Sequence, residues 1–126
     1  MNAQESPLPP LAAWRGPMIG VRVFGFGAKT ISIEQLAERM SEGDPLVIDV
    51  REPSEFAGGH VPGARNIPLA QLAARAQKLD PAAETLLICQ SGHRSARAAK
   101  QLKRAGFEHA FTVKGGTQAW RGPLER

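Results

Sequence analysis

The sequence predicts an α/β domain built on a largely parallel sheet. Two short apolar runs, Leu46-Val47-Ile48-Asp49-Val50 and Thr85-Leu86-Leu87-Ile88, are rich in branched residues and bounded by turn residues. That is the pattern of strands covered on both faces. Around them, apolar residues recur at helical spacing. Alternation of the two kinds of segment at βα spacing favours parallel strands joined by helical crossovers.

Residues 1–30 read as an N-terminal extension. Pro7, Pro9, Pro10 and Pro17 make its first part an arm, and Ile19 to Phe26 is a candidate extra edge strand broken by Gly20 and Gly25. The compact domain is expected over residues 31–126. Ser32-Ile33-Glu34-Gln35 fits a capping box, with Ile31 and Leu36 placed as a hydrophobic staple. The helix it starts runs to about Ser41, and Gly43 ends it. After the strand at Leu46, Pro53 suits a first helical turn leading to Phe56. Gly58 to Ala64 is read as an irregular loop. Leu69, Leu72, Ala73 and Ala76 have helical spacing.

The strand Thr85–Ile88 delivers Cys89 at its carboxyl end. A helix is expected from about Ser95 to Ala105, stopped by Gly106, with Ala96, Ala99, Leu102 and the stem of Lys103 on its inner stripe. Phe111-Thr112-Val113 is a further strand. Gly115-Gly116 then turns the chain into a short helix bearing Trp120, read as a core or interface anchor.

A chain of 126 residues fits one domain, and 42% hydrophobic residues is ordinary for a globular protein. The net charge of +4 is a mild preference for anions. No dense basic run with interleaved aromatics is present, which argues against nucleic acid. Cys89 is the only cysteine, so no internal disulfide can form. The first residues lack the basic and apolar regions of a signal peptide, and no apolar run approaches the roughly 20 residues that span a bilayer. A cytoplasmic protein without membrane contact is expected. Three histidines and one cysteine without close spacing make no metal site, and no cofactor is expected.

The chemistry concentrates in Cys89-Gln90-Ser91-Gly92-His93-Arg94. Open parallel sheets bind ligands outside the carboxyl ends of their strands. A six-residue turn containing Gly92 can curl its backbone N–H groups inward as an anion nest, and the following helix adds its positive end. Such surroundings favour thiolate over thiol and stabilise an anionic adduct on sulfur. An inert buried cysteine is the plainer alternative. Arg94 weighs against it: a cation is unfavourable at a helix N-terminus, so its presence there points to an anion.

These residues resemble the rhodanese domain family. Cys89-Gln90-Ser91-Gly92-His93-Arg94-Ser95 is similar to the family's Cys-x-x-Gly-x-Arg-Ser loop. Leu46 to Phe56, then Gly59-His60-Val61-Pro62-Gly63-Ala64-Arg65-Asn66-Ile67-Pro68, resemble its N-terminal strand and motif. Lys114-Gly115-Gly116 and Trp120 resemble its C-terminal end, and the likeness covers about Ile31 to Pro123.

The resemblance implies a five-stranded parallel sheet flanked by helices on both faces. It also implies sulfur transfer. Cys89 takes sulfane sulfur from a small anionic donor such as thiosulfate, becomes a persulfide, and passes the sulfur to cyanide, a thiol or a sulfur-relay protein. Gln90, Ser91, Gly92, His93 and Arg94 line the pocket through backbone amides, with Gln90, Ser91 and His93 tuning donor choice.

Two readings stand beside catalysis. One is a non-catalytic carrier or protein-binding module. The other, more distant, is a phosphatase or arsenate reductase of the same fold. The latter is disfavoured because Arg94 is the fifth residue after Cys89, whereas cysteine phosphatases carry the arginine one place later. Without a second cysteine, the sulfur must leave to an external acceptor.

Asp49 and Arg51 border the pocket in this reading. For Asp49 a structural hydrogen bond to neighbouring backbone is the stronger expectation. Arg51 is open between attracting an anionic donor and a structural part. His60 is read as fixing its turn, His93 as either tuning the thiolate or facing solvent, and His109 as surface. Arg97, Lys100, Lys103 and Arg104 form a solvated face, with docking of an acidic partner as the weaker alternative.

Overall fold

A computed structural model describes residues 29–126 of the chain. The candidate edge strand over 19–26 lies outside the described residues. Five strands form one sheet: β1 (Lys29–Ile31), β2 (Leu46–Asp49), β3 (Arg65–Asn66), β4 (Thr85–Ile88) and β5 (Ala110–Val113). All pairings are parallel, in the order β1-β5-β4-β2-β3. The helices are α1 (Ile33–Glu42), α2 (Pro53–Ala57), α3 (Leu69–Arg75) and α4 (His93–Arg104), with single 3₁₀ turns at Ala76–Lys78 and Thr117–Ala119.

Strand alternation splits the core into two layers. Leu46, Ile48 and Leu87 face α3 and α4, packing with Leu72, Ala98, Ala99 and Leu102. Val47, Leu86, Ile88, Phe111 and Val113 face the opposite side, against Leu36 of α1. Helices therefore cover both faces of the sheet, and its three middle strands are buried at every residue. The Ser32 capping box is formed: Ser32 Oγ accepts from the Gln35 N–H at 3.0 Å, and Gln35 Oε1 accepts from the Ser32 N–H at 2.8 Å. No described helix is long and apolar enough to cross a membrane.

Two local expectations are corrected, both in α4, and two short strands add to the sequence reading. The sheet begins at Lys29, where β1 is too short to show a period. Just after the loop that follows α2, Arg65–Asn66 pairs with Ile48 and Asp49 as an edge strand. α4 starts at His93 rather than near Ser95, since Gly92 at φ +112° makes the turn that releases the helix. Its buried stripe is Ser95, Ala98, Ala99 and Leu102, while Lys103 is exposed.

The chain end returns to the domain. His60 and Glu125 exchange backbone hydrogen bonds at 2.9 Å in both directions. His60 is buried, stacks on Phe56 with ring centroids 3.6 Å apart, and bonds the Phe56 carbonyl through Nδ1 at 2.9 Å.

Candidate active site

β4 is the central strand, and Cys89 follows it directly, at the carboxyl edge of the sheet. Cys89 is only 1% exposed, so its sulfur lies beneath the rim of its own loop. The Gly92 N–H donates to Sγ at 3.0 Å. Ser95 places its hydroxyl 3.6 Å from Sγ, and that hydroxyl is 2.5 Å from Thr112 Oγ1 and 3.1 Å from the Gly92 carbonyl.

The loop holds its carbonyls outward. Cys89 O accepts from the Thr117 N–H at 2.8 Å and Gln90 O from the Gln118 N–H at 3.2 Å. The Gly115-Gly116 turn after β5 brings those donors into place. A Cβ on Gly116 would lie 2.5 Å from both carbonyl oxygens, so only glycine permits the approach. With the carbonyls engaged, the N–H groups converge on sulfur, as in an anion nest.

This geometry governs the thiol's acidity. Burial pushes the Cys89 pKa up, but the Ser95 N–H and hydroxyl and the N–H groups of Gly92 and Ser91 outweigh it, leaving the thiol more acidic than usual. The site therefore offers a recessed thiol, more acidic than usual, with N–H donors directed at its sulfur.

Asp49 and Arg51 form a buried pair beneath the loop. Asp49 accepts from the Arg51 backbone N–H at 3.0 Å and from its guanidinium at 2.8 to 3.1 Å. Arg51 also donates to Gly59 O at 2.7 Å and to Gln90 Oε1 at 3.3 Å. Asn66 on β3 ties down the same turn by donating to the carbonyls of Asp49 and Arg51 at 3.0 and 2.9 Å.

Gln90, Ser91 and His93 are exposed at the mouth, with Ser91 Oγ 3.1 Å from His93 Nδ1. Arg94 sits beside them and is partly buried.

The anion that Arg94 meets belongs to the protein. Glu55 of α2 takes Arg94 in a two-pronged pair, at 2.7 and 3.0 Å. The hydrogen bond from Arg94 is the main reason the Glu55 pKa falls to about 2. The same pair, with Glu55, Cys89 and Asp49 as nearby negative charge, raises the pKa of Arg94. Sequence reasoning missed Glu55. Its one sequence mark is its spacing from Glu52, whose backbone N–H donates to Glu55 Oε1 at 3.0 Å at the head of α2. From Arg94 an open cleft of about 450 Å³ runs between α3 and α4, floored by Leu69, Ala70 and Ala73 and edged by Arg97 and Glu52.

Residues 32–123 match the rhodanese-like domain family, and the chain belongs to it. It is 46% identical over 97 residues to "Uncharacterized protein YqhL" of Bacillus subtilis, covering 77% of this chain and 75% of that protein. It is 36% identical to the "Putative sulfur carrier protein YrkF" of B. subtilis, over 75% of this chain and 52% of the relative. It is 37% identical to "Thiosulfate sulfurtransferase GlpE" of Pseudomonas putida, over 74% and 84%. The rhodanese-like domain of Anabaena sp. Alr3790 superposes with a TM-score of 0.72 at 30% identity, over 76% of this chain and 77% of that one. The fold and the single cysteine at its loop are those of a rhodanese-like domain.

Proposed function

We propose that this protein moves sulfane sulfur as a persulfide on Cys89, working as a sulfur carrier between a donor and an acceptor thiol. The observation that carries the reading is the Gly92 N–H at 3.0 Å from Sγ in a nest that makes the thiol acidic. The thiolate attacks the outer sulfur of the donor. A Cys89 S–S bond forms, the donor's S–S bond breaks, and its electron pair leaves with the remainder of the donor. The acceptor thiolate then attacks the outer sulfur, and the Cys89 thiolate leaves.

The relative named as a putative sulfur carrier supports the carrier reading. The relative named as a thiosulfate sulfurtransferase supports the second reading, an enzyme acting on thiosulfate with cyanide or a thiol as acceptor. Gln90, Ser91, Gly92 and His93 surround the incoming sulfur in either case. Asp49 and Arg51 brace the loop from below rather than meeting the donor, since each already occupies the other. A reducing, cytoplasmic setting suits a lone thiol of this kind.

Intact-mass measurement after incubation with thiosulfate or with an alkyl persulfide tests this. A gain of one sulfur atom, removed by cyanide and absent in Cys89→Ala, is expected. Slow loading from thiosulfate and fast loading from persulfide marks the carrier, and rapid cycling on thiosulfate marks the enzyme. No gain from either donor, or hydrolysis of an aryl phosphate that Cys89→Ser abolishes, overturns the sulfur reading.

A further inference from the structure

We propose that Glu55 selects the sulfur donor by charge, occupying Arg94 so that the site takes a persulfide of low charge in preference to the thiosulfate dianion. The inference rests on the sulfur-transfer reading of Cys89 and names the donor class for it.

The guanidinium groups beside the loop are both engaged among the described residues. Arg51 is held by Asp49 inside the domain, with side chains 5% and 0% exposed. Arg94 is held by Glu55 at the mouth, with both side chains about one-third exposed. Further out, the cleft edge carries Glu52 and Arg97, one charge of each sign. The two guanidinium groups nearest the loop are therefore each matched by a carboxylate before the thiol ionises. A dianion entering there meets the thiolate with the cation nearest the nest, Arg94, already paired to Glu55. An alkyl persulfide brings one charge at most on its sulfur.

The position of the pair makes Glu55 the controlling partner. Arg94 is the second residue of α4, fixed by its helix next to the nest. Glu55 reaches it from a different element, α2, and both Glu55 oxygens are used. A strongly charged donor shares Arg94 with this carboxylate and meets its charge, whereas a persulfide relies on the backbone N–H groups around Sγ. The Glu55 side chain is thus a competing anion built into the wall.

The two transfers balance differently. From thiosulfate, the Cys89 thiolate takes the outer sulfur, the S–S bond breaks and sulfite departs with the electron pair. From a protonated persulfide, the thiolate takes the terminal sulfur and the donor thiolate departs. Only the first brings two negative charges in and takes two out, so only the first depends strongly on a free Arg94.

The test compares kcat/KM for loading Cys89 from thiosulfate and from mercaptoethanol persulfide, which is otherwise uncharged, by intact mass. Glu55→Gln keeps an acceptor for the Glu52 N–H and removes the charge. It should raise the thiosulfate-to-persulfide ratio roughly tenfold, the effect of removing one charge a few ångströms away in a partly solvated site. Glu55→Ala should raise the ratio in the same direction, and Glu55→Asp, which keeps the charge, should stay within about twofold of the parent. A structural role alone lowers both donors together and leaves the ratio fixed. An unchanged ratio in Glu55→Gln and Glu55→Ala overturns the charge selection while leaving the Cys89 persulfide intact. Failure of both donors to load the unaltered protein overturns the sulfur-transfer reading and this inference with it.

Discussion

The hydroxyl of Ser95 stands 3.6 Å from the sulfur of Cys89 and 2.5 Å from the Thr112 hydroxyl on the neighbouring strand. A hydroxyl carries one proton and two lone pairs. With Cys89 as a thiol, the S–H can donate to Ser95. With Cys89 as a thiolate, the Ser95 proton turns to sulfur, and Thr112 can donate to Ser95 in its place. The chain thereby has a donor in reserve for the charged state.

Ser95→Ala should raise the Cys89 pKa by removing that donor. At neutral pH the rate of alkylation by iodoacetamide should fall by about tenfold, the scale of one hydrogen bond to a charged group. A pH–rate profile that coincides with the parent's would show the hydroxyl to be a spectator. Thr112→Val should move the profile the same way by less, because Ser95 still has its own proton to give.

Gly116→Ala places a methyl against the Cys89 and Gln90 carbonyls at a backbone φ of +64°. Both the crowding and the left-handed backbone oppose it. A loss of about 1–3 kcal/mol in urea unfolding is expected, with slower Cys89 alkylation because the loop must shift. Parent-like stability and reactivity would contradict the clamp described between the two loops.

Asp49→Leu leaves the Arg51 guanidinium buried without its counter-charge. Breaking a buried pair from one side costs about 3–5 kcal/mol. Adding Arg51→Met should recover part of that loss, because the unpaired charge is then gone too. A double-mutant cycle in denaturant measures the coupling, and simple additivity of the two losses would refute it.

Glu55 has a pKa lowered to about 2, first by the hydrogen bond from Arg94. A carboxyl whose folded pKa is depressed adds stability above its ordinary pKa and loses it as pH falls through the folded value. Its side chain is 35% exposed, so solvent screening limits the contribution to about 1 kcal/mol or less. The parent should therefore exceed Glu55→Gln in urea midpoint near neutral pH, with the gap closing as the pH approaches about 2. A gap that persists at that acidity would assign the difference to packing.

The middle of the sheet was legible because β2 and β4 are buried on both faces and must be continuously apolar. Cys89 was legible because a strand end, a glycine turn and a helix start converge on it within a few residues. The edges were not. β1 and β3 have three and two residues, too few for any period to register. The helix-start position of Arg94 pointed to a bound anion, whereas its partner in the fold is Glu55, 39 residues earlier, and only the packing of α2 against the loop joins them. Ser95 was read as part of the motif without a task. Its task depends on Thr112, which arrives from β5 through the sheet pairing rather than along the chain.

The depth of Cys89 has a consequence for the proposed persulfide. Two cysteines join only when their Cα atoms come within about 4.4–6.8 Å of each other. A residue that is 1% exposed beneath a loop rim cannot bring its Cα that near to a twin in a second molecule. Two identical molecules that collide therefore keep their Cys89 sulfurs apart. Under the proposed transfer, an acceptor would have to be slender enough to pass the loop rim, so shape would limit the lifetime of a persulfide before reactivity does.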